Sequence, residues 1–152
     1  MAEPAARITG AAVVAAARGW LGTPFCHQGR RRGVGVDCVG LVIGVAHELG
    51  LSDFDITGYA RRPDSSELAA RAHELMQPIA PAAARPGNVL LLAIEGRAQH
   101  LAIRSDIDGD PAIIHAHAPQ RRVVEHRIDC NWHERILGAF RLPGVVPDGE
   151  EG

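Results

Sequence analysis

Apolar residues along this chain follow one period at first and another later, and the change divides it into helices followed by strands. Up to residue 76 the spacing is helical. Arg7 to Leu21 reads as an alanine-rich helix that Gly22 and Pro24 end. Cys38 to Leu49 reads as a second helix, with Val39, Leu41, Val42, Ile43 and Val45 at helical spacing and Gly50 as its stop. Asp64-Ser65-Ser66-Glu67 has capping-box spacing, after which Leu68, Ala72, Leu75 and Met76 share one face of a third helix. Pro78, Pro81 and Pro86 bracket a linker. The runs Val89–Ile94, His100–Arg104, Ala112–Ala116, Val123–Ile128 and Ile136–Arg141 then read as strands. Glu95-Gly96-Arg97 and Asp106-Ile107-Asp108-Gly109-Asp110 are hairpin turns, with glycine free to take positive φ. Helices ahead of a largely antiparallel sheet of five or six strands make an α+β fold. A chain of 152 residues is one domain by size. Residues 1–144 are assigned to it, and 145–152 to a frayed polar tail.

Composition removes several alternatives. No run is long enough to cross a bilayer, so no membrane span is expected. A formal net charge of −2 gives no reason to expect a nucleic-acid or anionic-membrane partner. All 16 basic residues are arginine, which excludes a lysine Schiff base and a Ser–Lys dyad. Met1 to Arg7 lacks the basic start of a secretory signal, so synthesis in the cytoplasm is expected. Three cysteines without framework spacing fit a reducing compartment.

The chemistry centres on Asp37-Cys38-Val39-Gly40-Leu41, where a polar glycine-rich loop gives way to an apolar helix. A thiol in the first turn sits at the positive end of the helix dipole among unpaired N–H groups. That position is expected to lower its pKa and to offer an oxyanion site beside it. His100 opens a strand and is the candidate base. His115, on the next strand, is placed to orient it as the third member of a triad. Taken singly, each of these residues also has a bland reading: a small buried thiol, or a hydrogen-bonded half-buried imidazole. Cys26 ranks second as nucleophile because no helix starts after it, and Cys130 reads as structural. Arg30-Arg31-Arg32 is a solvated rim or a grip on a carboxylate-rich substrate. Trp20 and Trp132 read as core or groove-lining aromatics. His115-Ala116-His117 with His126 or Cys38 offers nitrogen and sulfur ligands, yet no partner stands at metal-motif spacing, so no metal or cofactor is assigned. The Asp106–Asp110 segment lacks the downstream glutamate of a calcium loop.

Several of these segments together carry a resemblance. Gly22-Thr23-Pro24-Phe25, His27-Gln28-Gly29 and Gly35-Val36-Asp37-Cys38-Val39-Gly40-Leu41-Val42 resemble the opening of NlpC/P60 cysteine peptidases, with their "GTPY" and "DCSGLV" segments. Arg85-Pro86-Gly87-Asn88-Val89-Leu90-Leu91 resembles the family's "PGDLL" strand, and His100-Leu101-Ala102-Ile103 its "HVGI" strand. Ile113-Ile114-His115-Ala116 resembles the strand bearing the third catalytic residue, and Ile136-Leu137-Gly138-Ala139-Phe140-Arg141 the last strand. The elements keep the family's order from about Ala11 to Arg141. The branch with His-Gln after the proline–aromatic pair is most similar, and it is found in phage tails and gene transfer agents.

The resemblance implies a papain-like fold and a cysteine peptidase or amidase that cuts peptidoglycan stem peptides. Cys38, His100 and His115 would be catalytic, with Phe25, His27, Gln28 and Asp37 near the substrate and oxyanion. It also implies attachment to phage-like tail or baseplate proteins and action at the cell wall. Phe25 stands where the family has tyrosine, Gln28 where it has the first glycine of a pair, Asn88 for aspartate and Val39 for a small polar residue. Two other readings stand beside hydrolysis: a structural tail or baseplate protein keeping the fold without catalysis, and a thiol acyltransferase.

Overall fold

The computed structural model describes residues 8–51, 55, 65–94 and 96–146. A two-residue strand β1 (Ile8–Thr9) leads into helix α1 (Gly10–Arg18), which Thr9 caps by accepting from Ala12 N at 3.2 Å. This helix is shorter at both ends than the alanine run suggests. Ile8 and Thr9 pair in parallel with Val145 and Val146, and beyond Arg18 the chain turns so that Trp20 packs against Gly44. A small hairpin, β2 (Arg30–Arg31) with β3 (Gly35–Val36), precedes helix α2 (Cys38–Glu48). Residues 39–46 of α2 are all buried, which its nearly continuous apolar sequence requires. Helix α3 (Ser65–Leu75) turns Leu68 and Ala72 to the core, and Met76 follows them there; Asp64 of the capping box lies outside the described residues.

Strands β4 (Gln77–Ile79), β5 (Val89–Ile94), β6 (Arg97–Ile107), β7 (Asp110–His117), β8 (Arg122–Arg127) and β9 (Ile136–Arg141) form one sheet in the order β4-β9-β5-β6-β7-β8. Every pairing in it is antiparallel. The sixth strand, β4, comes from the segment read as a proline linker. Pro78 is tolerated because β4 lies at the sheet's edge, where a missing N–H disturbs no central ladder. At the β6–β7 hairpin Asp108 and Gly109 both take positive φ, as a two-residue turn demands. Helix α4 (Cys130–Glu134), capped by Asp129, was not foreseen. The last strand, β10 (Val145–Val146), pairs with β1, and Val145 is buried in the core, so residues 145 and 146, read as the start of a frayed tail, are part of the fold.

The main core lies between the helices and one face of the sheet, where Leu41, Val45, Leu101, Ile103, Ile114 and Phe140 meet. Burial of each such side chain is worth roughly 1.5–3 kcal/mol. The opposite face carries a smaller cluster of Leu90, Leu92, Ala102, Ile113 and Ala139, with Trp132 and Ile136 against it. His100 pairs with Leu92, and His115 stands two residues from Ile113, so both share this second face.

Candidate active site

Cys38 opens α2 at a junction built by close backbone approach. A Cβ on Gly40 would stand 2.2 Å from Gly29 O, and one on Gly29 would stand 2.5 Å from Gly35 O. Only glycine lets loop and helix meet this closely. Asp37 is buried and organises the junction. One carboxylate oxygen accepts from Gly40 N at 2.8 Å, the other from Gln28 N at 2.7 Å. Arg30 Nη1 lies 3.2 Å from the first oxygen, and Arg30 Nε 3.0 Å from Asp55. Arg30 is therefore a half-buried strut, while Arg31 and Arg32 are exposed. Asp37 serves as helix cap and loop clamp.

The Cys38 thiol is half-buried and faces the backbone N–H groups of Leu101, Val39 and Cys38 itself. These favour thiolate, as expected at a helix start. Burial outweighs them, and the neighbouring Asp37 charge adds to it, so the pKa is pushed up to about 11. The expected depression is thus overturned, and the resting group is a thiol. Leu101 N–H is available because the β6–β7 ladder ends at Ile103↔Ile114, and α2 points its first turn at the strand beyond that end.

The imidazoles come from three strands. His100 Nε2 lies 2.6 Å from His115 Nδ1, His115 Nε2 lies 2.8 Å from His126 Nε2, and His126 Nδ1 lies 2.9 Å from Arg127 O. His115 is fully buried, with the ring centroids of His100, His117 and His126 each 4.9 Å away and that of Trp132 5.0 Å away. Burial, followed by the neighbouring His117 and Arg135, lowers the His100 pKa to about 3. Burial and the surrounding imidazoles hold His115 lower still, and His117 is also depressed. All three rest neutral at ordinary pH. Arg135 stacks on Trp132 at 4.6 Å, so this half-buried ring separates a guanidinium from the imidazoles.

The thiol meets the backbone N–H of Leu101, the chain neighbour of His100, whose ring lies on the other face of β6. Among the described residues no hydrogen bond joins thiol and ring directly. Phe25 packs partly buried against the main core, and its backbone bridges to Val36 just before the helix. His27 Nδ1 stands 3.9 Å from Asp37, and His27 Nε2 3.4 Å from the Gln28 amide. Gln28 adopts φ 59°, a left-handed conformation that glycine takes at little cost. Cys26 and Cys130 are both exposed, which removes the structural reading of Cys130.

His126 and Trp132 were legible only as a conceivable metal ligand and as a generic aromatic. His126 lies opposite Ile113, on the same face as His115 and diagonal to it. The signal that could have found it is the β7–β8 register, which one sequence does not fix. The ring nitrogens pair with one another in a chain instead of converging on a point, and the described residues contain no group of three or more ligands arranged for a metal.

No family model and no curated protein matches the sequence. Solved structures do match it. The NlpC/P60 domain of the peptidoglycan hydrolase SagA superposes with a TM-score of 0.61 at 27% identity, covering 89% of this chain and 100% of that one. An NlpC/P60 family protein from Bacillus cereus superposes with a TM-score of 0.66 at 20% identity, covering 90% of this chain and 41% of the other. The peptidoglycan hydrolase RipB from Mycobacterium tuberculosis gives 0.58 at 19% identity over 87% of this chain and 63% of that one. The chain therefore spans a whole NlpC/P60 domain but well under half of the Bacillus cereus protein. Its fold is the NlpC/P60 fold.

Proposed function

We propose that the chain hydrolyses amide bonds in peptidoglycan stem peptides by cysteine catalysis. The observation that carries this reading is a half-buried thiol at a helix start, meeting the N–H of the residue that follows His100 in the chain, with the His100 ring 2.6 Å from a second imidazole. The 27% identity to the SagA hydrolase domain over its full length supports the substrate class. Cys38 Sγ attacks the amide carbonyl as its proton passes to His100 Nδ1. The N–H groups of Cys38 and Val39 at the helix start receive the developing oxyanion. His100 then gives the proton to the leaving amine, and water hydrolyses the thioester with His100 again as base. Burial raises the thiol to about 11 and lowers the imidazole to about 3, so both favour their neutral forms and proton transfer accompanies attack.

Mass spectrometry of defined muropeptides digested by wild type and by Cys38→Ala tests this. Wild type is expected to shorten the stem peptides and Cys38→Ala to leave them intact. Intact muropeptides with both proteins would overturn the reading in favour of a structural role. Attachment to a phage-like or gene-transfer-agent tail, with delivery from the cytoplasm to the wall, rests on the sequence resemblance alone. Fractionation of cells and purified particles tests it, and a protein found only free in the cytosol would overturn it.

A further inference from the structure

The Arg127 carbonyl can only accept a hydrogen bond, and His126 Nδ1 stands 2.9 Å from it. In a neutral ring this places the His126 proton on Nδ1 and leaves Nε2 an acceptor. His115 Nε2, 2.8 Å away, must then carry the His115 proton, which leaves His115 Nδ1 an acceptor. His100 Nε2, 2.6 Å from that nitrogen, must carry the His100 proton in turn. One lone pair is left over, on His100 Nδ1. Each ring–ring contact taken alone admits two tautomer orders, and the carbonyl at the end admits one.

We propose that His126 is a positioning residue that, anchored on the Arg127 carbonyl, fixes through His115 the tautomer in which His100 Nδ1 is the base. The inference rests on the reading of Cys38 and His100 as nucleophile and base. Close packing supports it. His115 is 0% exposed and ringed by aromatics, so its nitrogens have no water to turn to and must satisfy each other's partners. His126 is only half-buried and lines an open cavity with His117, Gln120 and Trp132, so the far end of the chain meets solvent.

One added proton reverses the order. A doubly protonated His126 presents Nε2–H to His115. His115 then accepts at Nε2 and donates from Nδ1 to His100 Nε2, and the His100 proton sits on Nδ1, where it blocks the base. The groups facing His126 are His115 and His117 from β7 and Trp132 of α4 with Arg135 stacked on it; its strand neighbours Glu125 and Arg127 point away, to Arg18 and Ser105 and to Asp108 and Asp110.

Long-range ¹H–¹⁵N NMR of histidine-labelled protein near neutral pH reads which nitrogen of each ring is protonated. The expected pattern is Nδ1 for His126, Nε2 for His115 and Nε2 for His100. Protonation of His115 on Nδ1 would overturn the proposal whether or not the protein is active. His126→Gln keeps both partners, since its amide N–H donates to Arg127 O while its oxygen accepts from His115, and its kcat should stay close to wild type. His126→Leu keeps neither. Its kcat should fall roughly tenfold or more with KM unchanged, short of the about 10²–10⁴-fold that a positioned base contributes. Equal losses in both variants, or none in His126→Leu, would sink the idea. Should the leucine variant fail to fold, the wild-type spectrum still decides. An expected tautomer pattern in a protein that cuts no muropeptide would leave the tautomer order standing and overturn the hydrolase reading instead.

Discussion

The thiol half and the imidazole half of the site are held by different means. Cys38 is fixed by a contiguous stretch, Cys26 to Gly40, in which backbone meets backbone across Gly29 and Gly40 and Asp37 ties loop to helix. The imidazoles are fixed by each other, across gaps of 15 and 11 residues in sequence. A local scaffold of caps and glycines gives rigidity whatever the side chain does. A chain of rings depends on strand register, because a one-residue slip would turn a ring to the other face. Substitutions in the thiol half should therefore strike stability, and those in the imidazole half should strike turnover.

The strongest contrast lies within the imidazole half. His115 bonds both His100 and His126, whereas His117 only packs against rings, 4.9 Å from His115 and 6.4 Å from His100. His115→Ala is expected to lower kcat/KM by about 10²-fold or more, the low end of what a correctly held base is worth. His117→Ala should have a far smaller effect. Muropeptide kinetics on the two variants check this, and equal losses would move the orienting role away from His115.

Next in size is Asp37→Ala in the thiol half. It removes an N-cap, worth about 1 kcal/mol. It also strands the part-buried Gln28 N–H, at roughly 1–3 kcal/mol for an unsatisfied group and toward the lower end here. Urea unfolding should show a loss of about 2–3 kcal/mol in all. The Cys38 thiol should become more acidic at the same time, because the Asp37 charge helps hold its pKa up. A stability close to wild type would show that the loop is held by the glycine contacts alone.

pH separates the halves again. His100 and His115 are depressed from 6.5, and His117 is depressed less strongly, so the unfolded chain binds more protons than the folded one as pH falls. Stability from these groups is present above pH 6.5 and is lost as pH drops toward about 3. The thiol is raised from 9.0 to about 11, so its contribution is present below 9.0 and lost as pH climbs toward 11. Melting temperature against pH should show both edges. Cys38→Ala should soften the alkaline edge and leave the acid edge in place, and a softened acid edge would contradict the assignment.

The same division governs what the sequence reveals. Cys38, its helix and its glycine partners lie within one stretch, so local spacing was enough to find them. Helix α2 was read to within one residue, and strands β5 and β9 to the residue. Arg30 turning inward to Asp37 was hidden, since a run of three arginines looks the same whether one is buried or none. His100 and His115 were visible as rings on strands, although β6 begins at Arg97 and not at His100, but His126 was not, because its partnership exists only once β7 and β8 are in register. The sign of the thiol shift was missed for a related reason: a helix dipole is legible in sequence, and the depth of burial that defeats it is not. Edge strand β4 hid behind its proline, and the pairing of Val145 with Ile8 joins residues from opposite ends of the chain.

The smallest effect sharpens the comparison most cheaply. Gln28 holds φ 59° in the turn where Gly29 N bonds Cys26 O. A non-glycine residue pays about 1–2 kcal/mol in that conformation. Glycine gives back about 0.4–1 kcal/mol through its freer unfolded chain. Gln28→Gly should therefore stabilise the protein by roughly 0.5–1 kcal/mol on backbone grounds. One residue on, Gly29→Ala should do the reverse, because its Cβ would press on Gly35 O at 2.5 Å. Opposite signs at adjacent glycine-like positions would be the mark of a half-site held by backbone geometry. If Gln28→Gly instead destabilised the protein, the amide would be anchoring the loop through its side chain. Kinetics on the same variant would then read the remaining role: a raised KM with unchanged kcat assigns Gln28 to substrate binding, and unchanged kinetics leave it a residue of the scaffold alone.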